Sequence, residues 1–309
     1  MSVGFVTFSN LIIDDIVLPD GRTFMNTLGG AGMHALVGMR VWADRLGYMA
    51  TVGSDFDPAH RTALARLGID LRGLVERAGC RTPRAWQLFE PDERRIEIFR
   101  TDAAEFERCK VKFEDIPADY LKARGFHLHW GTLEELESLV SRLRATNATL
   151  RLVWEPSPAH LDQPRDSFEA VLHQLDLFSP SLDEAQRITG CDEPGEMVAT
   201  FLKWGAPCVA LRMGARGSLV QTATGESWQI PAVPATIVDV TGAGNSYCGG
   251  FLTGLGAGLD PLEAALRATV SASFALEQFG LPVFDETLPA EAARRLAWAR
   301  ERVEEIQEG

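Results

Sequence analysis

The chain has 309 residues, 46% hydrophobic and 24% charged, the make-up of an ordinary globular protein able to bury a sizeable core. A formal net charge of -13 speaks against a nucleic-acid backbone or an anionic membrane surface as the main partner. It leaves phosphate ligands open, because a pocket of backbone N–H groups binds an anion inside an acidic protein.

The five cysteines, Cys80, Cys109, Cys191, Cys208 and Cys248, are scattered, and no two stand in a Cys-x-x-Cys arrangement. That pattern predicts buried or free thiols in a reduced compartment, not a disulfide framework or a zinc site. The first residues lack a basic segment and soon meet Asp14 and Asp15, unlike a signal peptide. No apolar run approaches the roughly 18 residues of a membrane span. The expectation is a cytoplasmic protein with residues 1–309 in one large α/β domain.

In chain order, residues 3–8 read as a strand, 31–46 as a helix with a glycine-rich start, and 48–52 as a strand. Residues 59–67 read as a helix stopping at Gly68, then 126–130 as strand, 133–145 as helix and 150–154 as strand. Strand 174–178, helix 183–189 ending at Gly190, helix 195–204 and strand 208–213 follow. This rhythm predicts an α/β fold with a doubly wound, mostly parallel sheet, whose ligands bind at the carboxyl ends of its strands.

Residues 12–24 and 82–100 break the rhythm and read as β-ribbons, the second a hairpin turning at Pro91 and Asp92. They predict an inserted small β lid, roughly residues 12–28 and 82–105, whose edges also allow a homodimer. Arg94 and Arg95 read as surface charges on this hairpin. Residues 301–308 read as an acidic, solvated helix. His127 and His129 alternate on one strand, so they share a face, but without a third ligand at recognisable spacing they do not make a metal site.

The richest segment runs from Asp239 through Thr241, Gly242, Ala243, Gly244 and Asn245 into an apolar helix. A glycine-rich turn opening a helix exposes unpaired N–H groups at the positive end of the helix dipole. Gly242, Ala243, Gly244 and Asn245 would cradle a phosphoryl group as it gains charge in transfer. Gly249 and Gly250 in the following helix predict close packing against a neighbour. No Walker-type phosphate loop occurs, and Tyr247 stands where a dinucleotide fingerprint needs its third glycine.

Here the sequence resembles the ribokinase-like family, also called PfkB-type sugar kinases, whose motif reads Asp-x-Thr-Gly-Ala-Gly-Asp before an apolar helix. The match covers Asp239, Thr241, Gly242, Ala243 and Gly244, with Asn245 in place of the final Asp. The resemblance extends to Gly29, Gly30 and His34 at the start of the first helix. It also takes in Asp14, placed on the first strand as a sugar-contacting Asp, and the region of Ser181 and Glu184. The loop of Arg212, Gly214 and Gly217 resembles a nucleotide-contacting segment.

The resemblance implies ATP and Mg2+ as cofactors, with a monovalent cation as a further ion, and a small sugar-like substrate. Asp14, Gly29, Gly30 and His34 would hold the substrate. Arg212, Gly214, Gly217 and Thr241 would meet the nucleotide. Glu184 and Asp239 would organise metal, and Gly242, Ala243, Gly244 and Asn245 would carry the transfer. Asp15 reads as a solvated strand end.

The family's final Asp is a general base, and an Asn amide cannot accept a proton at neutral pH, although it still hydrogen-bonds a hydroxyl. A positioned base is typically worth about 10²–10⁴-fold, yet phosphoryl transfer depends mostly on positioning and electrostatics. Two functions stay open: a kinase with a weakened base, and a catalytically inactive pseudokinase that senses a nucleotide or sugar. The intact Gly-Ala-Gly turn favours the first, Asn245 the second.

Overall fold

Long apolar runs without alternation make strands buried on both faces, and those runs build the central sheet. The computed structural model describes residues 2–90, 95–282 and 284–306. The first half of the chain contributes β1 (Phe5–Phe8), β2 (Ile12–Val17), β3 (Thr23–Gly29), α1 (Ala31–Arg40), β4 (Leu46–Val52), α2 (Pro58–Arg66), β5 (Ile69–Asp70) and β6 (Leu74–Glu76). Then come β7 (Arg84–Phe89), β8 (Arg95–Phe99), α3 (Ala103–Cys109), β9 (Gly125–Leu128), α4 (Leu133–Thr146), β10 (Arg151–Trp154), α5 (Arg165–Leu172) and β11 (Leu177–Phe178). The remainder is α6 (Leu182–Thr189), α7 (Pro194–Lys203), β12 (Cys208–Arg212), β13 (Ser218–Thr222), β14 (Ser227–Ile230), α8 (Ala243–Gly256), α9 (Pro261–Ala275), α10 (Leu288–Arg300) and β15 (Glu304–Glu305).

The large sheet runs β15-β14-β13-β12-β11-β10-β9-β1-β4-β5, with β6 beside β4. Neighbours from β12 to β5 are parallel, and β13, β14 and β15 add an antiparallel edge. One face packs an apolar core against α1, α8, α9 and α10, and the other against α4, α5 and α7. This is the α/β fold with a mostly parallel sheet that the alternation predicts.

A separate small sheet, β3-β2-β7-β8, contains the two predicted ribbons. The first ribbon runs on to Gly29, and β2 pairs β3 antiparallel and β7 parallel. The turn at Pro91 and Asp92, and Arg94, lie outside the described residues. Asp14 sits on β2 of this small sheet, not on the first strand of the chain as the resemblance placed it. Asp15 is no solvated strand end: it is buried, accepts the Asn26 N–H at 2.9 Å and pairs with Arg100 at 2.7 Å.

Local signals set the helix ends. Ser181 and Glu184 form a reciprocal capping box on α6, which stops at left-handed Gly190. Asp57 caps α2 just before Pro58, and Asp260 caps α9 before Pro261. Helix α1 ends at Arg40, short of the predicted 46, because Leu46 already belongs to β4 and pairs with Phe5. The strand expected at 174–178 is confined to Leu177–Phe178.

Two expectations are overturned. The acidic C-terminal stretch is not a helix: Glu304 and Glu305 form β15, paired to Gln229 and Trp228 of β14. Cys80 and Cys109 are joined as a disulfide, their Cα atoms 6.0 Å apart and 29 positions apart in sequence. The bond closes the segment that carries β7, β8 and α3. Nothing in the local sequence marks the pair, because the fold brings the two ends together. Cys191, Cys208 and Cys248 are free.

Candidate active site

The residues that carry the site follow directly from the parallel strands. Glu155 comes after β10, Ser179 after β11, and Arg212 ends β12. Opposite them stands the N-terminus of α8. This is the carboxyl edge of the sheet, where open α/β folds bind ligands.

Helix α8 starts at Gly242, whose φ of 77° is left-handed, and no side chain caps it. Among the described residues the N–H groups of Gly244 and Asn245 therefore find no acceptor, and they lie at the positive end of the dipole. A Cβ on Gly242 would overlap the His34 ring, and one on Gly244 would overlap the Arg212 guanidinium. Ala243 opens the helical turn between them. The helix is held down by close glycine contacts. Gly249 lies against the backbone of Ala35 on α1, and Gly250 against Ser271 and Ala268 on α9. The tight packing that the glycine pair predicts is thus present.

His34 is buried on α1 under this turn, and Ser246 Oγ donates to its carbonyl at 2.7 Å. Burial, helped by the charge of Arg95, pushes its imidazole down to about 4. The ring is neutral at physiological pH. Asp239 is buried beside the turn and accepts the Thr241 N–H at 2.8 Å, with its carboxyl pushed up by burial. Thr241 Oγ1 in turn accepts from Arg95 Nη1 at 3.3 Å. Arg95 is an exposed charge on the small sheet, as the hairpin predicts, and it also reaches the turn before α8.

Asp14 is buried at the base of the small sheet, and Gln87 Nε2 donates to its carboxylate at 3.0 Å. Burial pushes Asp14 up to about 7. Gly29 packs directly on this carboxylate, leaving no room for a Cβ, and Gly30 with φ 87° turns the chain into α1. Asp14, Gly29, Gly30 and His34 are thereby gathered around the start of α1.

Arg212 ends β12, Gly214 and Gly217 belong to the turn that follows it, and Glu184 stands on α6 beside Arg212. Arg212 Nη2 donates to Ser179 O at 3.0 Å and sits 3.4 Å from Glu184 Oε2. Both Gly214 and Gly217 have left-handed backbones; Gly214 borders open space, whereas Gly217 abuts the backbone of Ile230. Gly217 is thus required by packing on β14. Glu184 Oε2 also accepts the Ser181 N–H at 2.7 Å, which leaves Oε1 as the oxygen able to meet metal-bound water.

Glu155 is the residue that sequence reasoning misses. It is buried, and its Oε1 accepts from Asn245 Nδ2 at 2.5 Å and from His127 Nε2 at 2.8 Å. Arg212 Nη1 lies 3.5 Å from its Oε2, and Cys248 Sγ donates at 3.6 Å. Burial pushes this carboxyl up, but the hydrogen bond and charge of His127 and the charge of Arg212 outweigh it and hold the group below the carboxylate range. His127 is oriented by Thr7 Oγ1 at 2.9 Å. His127, Glu155 and Cys248 fall within 4.8 Å of one another, but their polar atoms are already engaged with protein partners. His129 does not join them; burial lowers its imidazole.

The family model for pfkB family carbohydrate kinases matches residues 6–287. The chain is 27% identical over 266 residues to the cytidine kinase of Thermococcus kodakarensis, covering 85% of this chain and 91% of that one. It is 28% identical over 290 residues to a nucleoside kinase of Methanothermobacter thermautotrophicus, covering 91% and 90%. Its fold matches a protein from E. coli described as a ribokinase II in complex with ATP and Mg2+, with a TM-score of 0.74, 20% identity and coverage of 97% and 99%. With the glycine turn, the strand-end carboxylates and the small sheet in place, this chain belongs to the pfkB family of carbohydrate kinases.

Proposed function

We propose that the protein transfers the γ-phosphoryl group of ATP to a hydroxyl of a nucleoside or another small sugar-like molecule, with Mg2+. The observation that carries this reading is the uncapped Gly242–Asn245 turn, whose free N–H groups face the strand ends with Arg212 above it. The names of the two kinase relatives support the substrate class.

In this reading Asp14 accepts hydrogen bonds from substrate hydroxyls, and neutral His34 lines the same pocket. Asn245 Oδ1 accepts from the attacking hydroxyl. The hydroxyl oxygen bonds to the γ-phosphorus as the bond to the bridging oxygen of ADP breaks, and the hydroxyl proton leaves to water or to the phosphate. The N–H groups of Gly244 and Asn245, with Arg212, stabilise the charge on the phosphoryl oxygens. Mg2+ would neutralise phosphate charge when bound; Glu184 Oε1 would hold its water. A monovalent cation beside Asp239 belongs to the same reading. The small sheet acts as a lid, with Arg95 as its contact to the phosphate turn. Its exposed Trp86, Ile96 and Ile98 supply an apolar surface for a homodimer. A cytoplasmic location accords with ATP as donor, and there Cys80 and Cys109 would exchange with the thiol pool.

The test measures ATP turnover over a panel of nucleosides and sugars for the natural protein and for Asn245→Asp, beside Mg–ATP binding by thermal unfolding. Ligand at 100 times its dissociation constant stabilises by about 2.7 kcal/mol. The proposal expects binding and turnover by the natural protein. Binding without turnover by the natural protein points instead to the pseudokinase, and no binding by either form defeats both.

A further inference from the structure

The phosphoryl-transfer reading leaves unused the buried carboxylate of Glu155. We propose that Glu155 is a positioning residue for Asn245: it takes the amide N–H, turns Asn245 Oδ1 toward the attacking hydroxyl, and is the reason position 245 carries an amide. The proposal rests on the kinase reading and adds to it a matched pair of residues 90 positions apart.

An ionised carboxylate only accepts hydrogen bonds, so the Asn245 amide meets it with Nδ2 and has one way to turn. Nδ2 points inward at 2.5 Å from Glu155 Oε1, and Oδ1 has no hydrogen-bond partner among the described residues. Glu155 itself cannot swing, because its side chain is only 2% exposed and donors reach it from three elements. His127 approaches from β9, Arg212 from β12, and Asn245 and Cys248 from α8. Thr7 on β1 fixes His127 in turn. His129 and His34 are the further titratable groups that feel the charge of Glu155.

The same geometry disfavours an ionised aspartate at 245. Two carboxylates at hydrogen-bond distance do not both ionise; they share a proton. The obvious restoration of a base, Asn245→Asp, would then hold that proton between residues 155 and 245 and leave no free base at neutral pH. Removing the Glu155 charge frees it.

Four proteins test this: natural, Glu155→Gln, Asn245→Asp and the double variant. ATP turnover with the best acceptor is followed from acid to alkaline pH, with KM for ATP and thermal unfolding measured alongside. Glu155→Gln puts one acceptor and one donor where the carboxylate has two acceptors, among the donors of Asn245, His127, Arg212 and Cys248, so the way Asn245 turns is no longer fixed. Its kcat is expected to fall about 100-fold, the cost of misplacing a reacting group by about 1 Å, with KM for ATP nearly unchanged. Asn245→Asp is expected to be inactive at neutral pH and to gain activity as pH rises, and the double variant to recover turnover at neutral pH. Equal pH profiles for Asn245→Asp and the double variant, or simply multiplicative effects of the two substitutions, overturn the pairing. If Mg–ATP binds to all four and none turns over, the kinase reading fails separately. The pairing is then decided by unfolding: a destabilisation of Asn245→Asp at neutral pH that Glu155→Gln relieves supports it, and additive stabilities overturn it.

Discussion

Gly242 rests on the imidazole of His34, so that the turn opening α8 and the first turns of α1 are built against each other. Any side chain at 242 meets two penalties, overlap with that ring and a left-handed backbone at φ 77°. Gly242→Ala is expected to lose about 1–3 kcal/mol of stability, the usual cost of such a strained residue, together with Mg–ATP binding. Denaturant unfolding and a nucleotide thermal shift check both.

His34 gives an acid-side signature. Its folded value of about 4 lies below the ordinary 6.5, so the unfolded chain binds the proton more readily in that window. Stability is full above about pH 6.5 and falls as pH drops toward 4, by at most about 3 kcal/mol from this group. His160, also pushed to about 4 by burial, adds a parallel loss. The difference between the natural protein and His34→Gln isolates the His34 share. Urea unfolding at neutral and mildly acid pH should show a flatter curve for the variant.

How much of this was legible follows from how local each signal is. The glycine turn opening α8 and the Gly249–Gly250 packing could be read because each demand falls within a few residues. Glu155 could not. A lone glutamate after an apolar run has no pattern, and its partners Asn245 and His127 stand 90 and 28 positions away. The same distance in sequence hid the Cys80–Cys109 pairing and the contact of Arg95 with Thr241. In β15 the chain trades helix propensity for an open sheet edge, a tertiary choice that composition does not record.

Asp14 carries the opposite pH sign. Burial raises it from 3.8 to about 7, so the folded state holds the proton longer and stability falls as pH rises through that range. Asp14→Asn is expected to be more stable than the natural protein at alkaline pH, by about 1–3 kcal/mol. It should also raise KM for the hydroxyl acceptor at least about tenfold, one lost charged hydrogen bond. A gain in stability with no change in KM would remove Asp14 from the substrate pocket.

Arg212 is nearly enclosed, its side chain 15% exposed, between Glu155 and Glu184. Arg212→Met leaves Glu184 without its cation and Glu155 with His127 alone, and about 3–5 kcal/mol of stability should be lost, as for a broken buried pair. Arg212→Lys keeps the charge and should recover much of that stability but not kcat, because an ammonium cannot reproduce the planar fork over Gly244. Parallel unfolding and turnover measurements separate the two roles.

The kinase itself is tested most directly by a single turnover, with enzyme in excess over γ-labelled ATP, Mg2+ present, and each nucleoside or sugar supplied in turn. A weak base slows such an experiment without hiding its product. The structure predicts that label moves from ATP to a hydroxyl of at least one acceptor, and that Gly242→Ala abolishes the transfer. Bound Mg–ATP with no labelled acceptor in any reaction would contradict it.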